Sequence, residues 1–261
     1  MRAELKAALE AAEAAGELLR CRFQEGVRVS YKGARDPVTE ADREAERLVA
    51  ERLGERFPGY GFLGEEQGRR RDGALRWVVD PLDGTTNFSR GIDRFCVSIA
   101  LERDGEVLLA VIRDPLRRES FFAVRGEGAF CNGRRIRVST TRSLERAVAA
   151  SGFPYPDRAH EADNFGLWRT MVQACQAVRC LGASALDLAH VACGRLDLFW
   201  ELGLDPWDQA AGALLVQEAG GLVSAVDGGR FDPHRPSILA ANPALHRAAV
   251  ERLSGAARPG G

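Results

Sequence analysis

Trp77-Val78-Val79-Asp80-Pro81-Leu82-Asp83-Gly84-Thr85-Thr86-Asn87-Phe88 is the stretch on which the reading of this chain turns. An apolar strand delivers Asp80 at its end, Pro81 redirects the backbone, and Asp83 follows directly. Gly84, Thr85 and Thr86 then offer amide N–H groups and hydroxyls where a helix or tight turn begins. Carboxylates this close repel each other strongly unless a cation sits between them. Oxygen donors beside free amides are what a hard divalent metal and a phosphate jointly require. Asp-Pro and Asp-Gly are also everyday turn formers, so the company of the stretch matters. Glu65-Glu66 follows a strand ending in Gly64, and Asp42 closes Asp36-Pro37-Val38-Thr39-Glu40-Ala41-Asp42. Asp208 stands in Trp207-Asp208-Gln209-Ala210-Ala211-Gly212, in the first turn of a helix whose dipole favours an anion there. The Asp-x-Asp-x-Thr pattern of aspartyl-nucleophile phosphatases is not met: two residues separate Asp80 from Asp83, and two helices precede them.

Working outward, Leu5, Leu9, Ala12, Ala15, Leu19 and Phe23 recur at helical spacing. A second helix is expected from Thr39, which caps it, through Ala45, Leu48, Val49 and Leu53, ending before Pro58. Strands are predicted over 61–64 and 76–80, with a hairpin over 95–102 and 106–113 turned by Asp104-Gly105. Further antiparallel strand is predicted over 121–124 and 129–138. Beyond Ala147 helix and strand alternate: strands at 147–151, 178–181 and 196–201, helices over 161–174, 184–193, 206–219 and 243–253, and strands near Leu222 and Ile238. Residues 1–140 thus read as an α+β half with an antiparallel sheet, 141–254 as an α/β half, and 255–261 as a frayed tail.

The chain has 261 residues, 45% hydrophobic and 28% charged, with a formal net charge of −1. That charge speaks against a general nucleic-acid binder, and Arg69-Arg70-Arg71 reads as a solvated loop. No apolar run is long enough to span a bilayer, and the acidic, alanine-rich start is neither signal nor transit peptide. The 6 cysteines form no CxxC pair, so buried, reduced thiols in a cytoplasmic protein are expected. His160, His190, His234 and His246 fall in no ligand spacing and read as structural or surface residues.

Taken together, the segments 36–42, 64–66, 77–88, 181–188, 194–201 and 207–221 make the sequence resemble the inositol monophosphatase family over nearly its whole length. The resemblance implies a layered α-β-α-β-α sandwich, the sugar phosphatase fold, with metal sites where the halves meet. It implies two or three Mg²⁺ ions: Glu65, Asp80 and the Leu82 carbonyl hold the first, Asp80, Asp83 and Asp208 the second, and Glu65 helps with a third. Thr85 orients the attacking water with Glu65 as a base, Asp42 sits behind and bonds Thr85, and the amides of Gly84 and Thr85 receive the phosphate. Glu201 matches the position that contacts a substrate hydroxyl, with a solvated strand-end carboxylate as the lesser alternative. Gly182, Ala183 and Ser184 match the polyol-lining stretch, or a helix start capped by Ser184; Lys32 either assists the metals or is simply solvated. Ser89-Arg90-Gly91-Ile92-Asp93 departs from the family, which places histidine-glycine and proline there, and that bears on substrate preference.

The activity so implied is hydrolysis of a small polyol phosphate, inositol-1-phosphate first, by metal-activated water. Fructose-1,6-bisphosphate, histidinol phosphate and nucleotide 3′-phosphates are alternatives within the same chemistry, and a non-catalytic regulatory protein is the alternative of another class. The resemblance also implies a cytoplasmic homodimer sensitive to Li⁺, with no membrane or nucleic-acid partner.

Overall fold

Successive residues along the central strands face opposite sides, and both sides are apolar, so each sheet needs helices on both faces. The computed structural model describes residues 1–26, 29–31, 37–153 and 164–256; Lys32 lies outside them, as does His160. In chain order the first half contains α1 (Arg2–Glu25), β1 (Val29–Tyr31), β2 (Pro37–Thr39), α2 (Glu40–Arg56), β3 (Gly61–Gly64), β4 (Gly68–Arg71), β5 (Arg76–Asp83), α3 (Thr85–Ser89), β6 (Cys96–Arg103), β7 (Glu106–Asp114), β8 (Glu119–Val124), β9 (Gly128–Cys131) and β10 (Arg134–Arg135). The second contains β11 (Val148–Ala150), α4 (Asn164–Ala174), β12 (Ala177–Arg179), α5 (Ser184–Ala192), β13 (Leu198–Leu202), α6 (Pro206–Glu218), β14 (Leu222–Ser224), β15 (Ser237–Ala241) and α7 (Pro243–Ala256).

Among the described residues an 8-stranded sheet runs β10-β9-β8-β7-β6-β5-β3-β4, and a 5-stranded sheet runs β12-β11-β13-β15-β14. One apolar cluster joins Trp77, Val79, Ile99, Leu101 and Val111 to the inner faces of α1 and α2. A second lies between the sheets, where Val78, Ala100, Ala110 and Ile112 meet α5, α6, Phe199 and Ile238. The third covers the far side of the smaller sheet, where Leu198, Trp200 and Leu239 meet Leu167, Met171, Leu245 and Leu253 of α4 and α7. The order is therefore helices, sheet, helices, sheet, helices: the α-β-α-β-α sandwich. The middle helix layer is thin because it is made of small residues. A Cβ on Gly212 of α6 would overlap the Leu188 side chain of α5.

Several expectations change. The first half is not wholly antiparallel, since β3 pairs with β5 in parallel; the chain reaches β5 from β3 by way of β4 rather than by a hairpin. Arg69–Arg71 lie in the edge strand β4, paired antiparallel to β3, not in a loop; charge on an edge strand deters pairing with other chains. Helix α7 continues through Ala256, into the stretch expected to fray. All the cysteines are free, but only Cys96 is buried; Cys131, Cys175 and Cys193 are half-buried, and Cys21 and Cys180 are exposed. No helix among the described residues is long and apolar enough to cross a membrane.

Candidate active site

Asp80 and Asp83 end β5, where the pairing with β6 shifts between them. The irregularity lets both carboxyls leave the strand near one place instead of pointing to opposite faces. Asp80 Oδ1 accepts from the Leu82 amide at 2.9 Å, which closes the turn around Pro81. Gly84 follows at φ 95°, and a Cβ there would come within 2.9 Å of the Arg94 carbonyl, so this turn demands glycine. Asn87 in α3 then donates to the carbonyls of Arg94 at 2.9 Å and Leu181 at 2.8 Å, tying the loop to the second half of the chain.

Thr85 Oγ1 lies 2.9 Å from Asp42 Oδ1 and 3.0 Å from the Leu82 carbonyl oxygen. Asp42 is itself fixed by a capping box, accepting from the Thr39 amide at 2.8 Å and from its hydroxyl. Burial raises the Asp42 carboxyl, against the lowering effect of its Thr39 and Thr85 bonds. Glu65 is set by two backbone bonds. Its own amide donates to the Val79 carbonyl at 3.2 Å, and the next amide, of Glu66, donates to Glu46 at 2.7 Å. From the other half, Asp208 occupies the third position of α6 and accepts from the Asp205 amide at 2.7 Å.

Asp83 has a role that sequence reasoning missed. Its carboxylate accepts from the amides of Ser184 at 3.1 Å, Ala185 at 2.9 Å and Leu186 at 3.4 Å. It therefore caps α5, whose own N-cap residue, Ala183, offers no side chain for the purpose. Ser184, expected as that cap, instead donates from its hydroxyl to Glu201 Oε2 at 2.9 Å. Glu201, on β13, is buried rather than solvated.

These groups meet in one cavity of about 290 Å³. Glu65, Asp80, Leu82, Asp83 and Asp208 line it together with Gly84, Thr85, Gly182, Ser184 and Glu201. Asp42 stands behind Thr85, outside the lining. Ser151, Phe153, Cys180 and Asp187 also line the cavity, and none had been singled out as a site residue. The signal for Ser151 and Phe153 was their position after the carboxyl end of β11, where sheets of this kind open their crevices. Asp187 pairs with Arg94.

The lining among the described residues contains no lysine or arginine, and the electrostatics reflect that. Asp80 is raised well above the usual carboxylate value by burial and then by the charges of Glu65, Asp83 and Asp208. Asp208 is likewise raised, by burial and then by Glu65 and Asp83. Burial pushes Asp83 up to about 6 despite its amide bonds, Asp187 to about 7 and Glu201 to about 8. A cluster of buried oxygen donors that repel one another fits divalent metal binding in kind. The described residues do not hold a preassembled metal cluster: Asp80, Asp83 and Asp208 each turn an oxygen to a backbone amide.

The layered sandwich thus carries an acidic, oxygen-lined cavity. The family model "Inositol monophosphatase family" matches residues 1–258. The chain belongs to the inositol monophosphatase family. It is 46% identical over 253 residues to "Inositol-1-monophosphatase" of Mesorhizobium japonicum, covering 95% of each chain. It is 45% identical over 261 residues to "Nus factor SuhB" of Pseudomonas aeruginosa, covering 97% of this chain and 96% of that one. Among solved structures, inositol monophosphatase from Anabaena superposes with a TM-score of 0.88 at 38% identity, over 97% of this chain and 96% of the other.

Proposed function

We propose that this protein is a Mg²⁺-dependent phosphatase of small polyol phosphates, with inositol-1-phosphate as its leading substrate. The observation that carries the reading is the union, in one cavity, of the carboxylates of both halves with the Ser184–Glu201 pair. Glu65, Asp80, Asp208, Asp83 and the Leu82 carbonyl would hold the metals. Bound there, Mg²⁺ supplies neutralisation of the phosphate dianion and acidification of a water.

The chain's own groups do the rest. The Thr85 hydroxyl proton is drawn to Asp42 or the Leu82 carbonyl, which leaves the oxygen free to accept from a water and aim it. Glu65 lines the same cavity and takes that water's proton. The amides of Gly84 and Thr85, where α3 begins, are the donors offered to phosphate oxygens. Glu201, held by Ser184, serves a substrate hydroxyl, and Gly182 lines the same cavity. Burial keeps Glu201 protonated at neutral pH, so it both donates and accepts. A homodimer in the cytoplasm, inhibited by Li⁺, completes the reading.

The test is phosphate release from inositol-1-phosphate, fructose-1,6-bisphosphate, histidinol phosphate and a nucleoside 3′-phosphate, each with Mg²⁺ and with chelator. Fastest Mg²⁺-dependent turnover of inositol-1-phosphate is expected; faster turnover of another ester would reassign the substrate. The Nus factor name borne by a relative 45% identical to this chain supports a regulatory role beside catalysis. A variant without turnover that still restores a deletion strain's growth would separate the two roles.

A further inference from the structure

The geometry points to Asn164 as a positioning residue for substrate hydroxyl recognition, acting through Gly152 on Glu201; it rests on the reading of Glu201 as the hydroxyl contact. Asn164 opens α4 and is buried, at 1% exposure. Its Nδ2 donates to Ser151 Oγ at 2.9 Å and to the Gly152 carbonyl, and its Oδ1 accepts from the Trp200 indole at 2.9 Å. The amide orientation follows from that network, because the indole N–H can only donate and a carbonyl can only accept.

Trp200 and Glu201 are neighbours on β13 and point to opposite faces. The indole joins the apolar cluster beneath α4 and α7, while the Glu201 carboxyl reaches Ser184 on the cavity side. Gly152 lies against that carboxyl so closely that a Cβ would overlap it. Asn164 thus bolts the Ser151–Gly152 wall to one residue of β13, and the wall then backs the carboxyl of the next. Without the bolt, Ser151 and Gly152 lose buried donors, the Trp200 N–H loses its acceptor, and each lost partner costs desolvation that the wall relieves by moving. Glu201 then keeps its Ser184 bond but loses its backing. Selectivity for a hydroxylated substrate falls while chemistry at the carboxylate side continues.

The experiment compares inositol-1-phosphate with 4-nitrophenyl phosphate, which carries no hydroxyl for Glu201, in Mg²⁺. Asn164→Asp keeps the shape and the indole acceptor but removes both donors. It is expected to raise KM for inositol-1-phosphate about tenfold, equivalent to ~1.4 kcal/mol, with kcat/KM for 4-nitrophenyl phosphate essentially unchanged. Combined with Glu201→Ala, it is expected to add no further loss of selectivity, because both act on the same contact. Trp200→Phe removes the indole N–H together with ring volume from the third apolar cluster, which lowers stability; where Asn164→Asp does not fold, the folded Trp200→Phe protein is expected to lose selectivity in the same direction, and an equal loss on the two esters overturns the inference. Equal losses on the two esters, or full additivity with Glu201→Ala, would show an anchor for α4 and overturn the inference. A wild type without preference between the esters overturns it too, while leaving the phosphatase reading intact. A wild type that turns over neither ester overturns both.

Discussion

Thr85 carries one hydroxyl proton and has two acceptors within reach, Asp42 and the Leu82 carbonyl. Either bond leaves a lone pair on the oxygen for a water, as the proposed mechanism requires. Thr85→Ala is expected to lower kcat about 10²-fold, the usual scale of a misplaced reactant, with KM nearly unchanged; a variant as fast as wild type would remove Thr85 from the mechanism. Glu201 makes a second prediction. Burial raises its carboxyl from 4.5 to about 8, so the fold favours the protonated form. Its favourable contribution is complete below about pH 4.5 and is lost as pH climbs through 8. Wild-type Tm should therefore fall between pH 5 and 9 relative to Glu201→Gln, and parallel Tm curves would contradict the assignment. Residues carrying charge were legible in the sequence because acidic groups clustered in apolar context have few structural uses. Asp187 was not, since a carboxylate in the first turn of a helix reads as an ordinary exposed one until Arg94 is seen beside it.

Helices α5 and α6 hold the site because they bring Ser184 and Asp208 to the carboxyl ends of β5 and β13. Their approach depends on small residues, Gly212 against Leu188 above all. Gly212→Val is expected to destabilise the protein by ~1–3 kcal/mol through overpacking, measured by urea unfolding; an unchanged midpoint would mean that the middle layer is looser than described. Asp83 shows how element and site are joined. It caps α5 across the chain, so its removal perturbs a helix as well as the cavity, whereas Asp80 accepts its hydrogen bond from the Leu82 amide within its own turn. Helices and hairpins were legible from periodicity and from turns such as Asp104-Gly105. The parallel pairing of β3 with β5 was not, because strand direction is set by the route between strands, and β4 reads as a charged run rather than a strand. The cap by Asp83 was equally hidden, as it spans more than a hundred residues.

At the scale of the whole molecule, the two sheets and three helix layers bring Glu65, Asp80 and Asp83 from one half against Asp208 and Glu201 from the other. The layered architecture was legible through the family resemblance rather than through periodicity, which orders elements along the chain but does not stack them. The homodimer belongs to this scale: sedimentation should give twice the chain mass of 28.4 kDa, and a monomer at every concentration would remove it. The central claim is that the mutually repelling carboxylates exist to bind the metal that makes phosphate hydrolysis run. It is tested most directly by phosphate release from inositol-1-phosphate across a Mg²⁺ titration, for wild type and Asp80→Asn, with folding of both checked by circular dichroism. The account predicts saturable, Mg²⁺-dependent turnover by wild type, abolished by chelator and by Asp80→Asn in a folded protein. Turnover indifferent to chelator, or an Asp80→Asn variant as active as wild type, would contradict it.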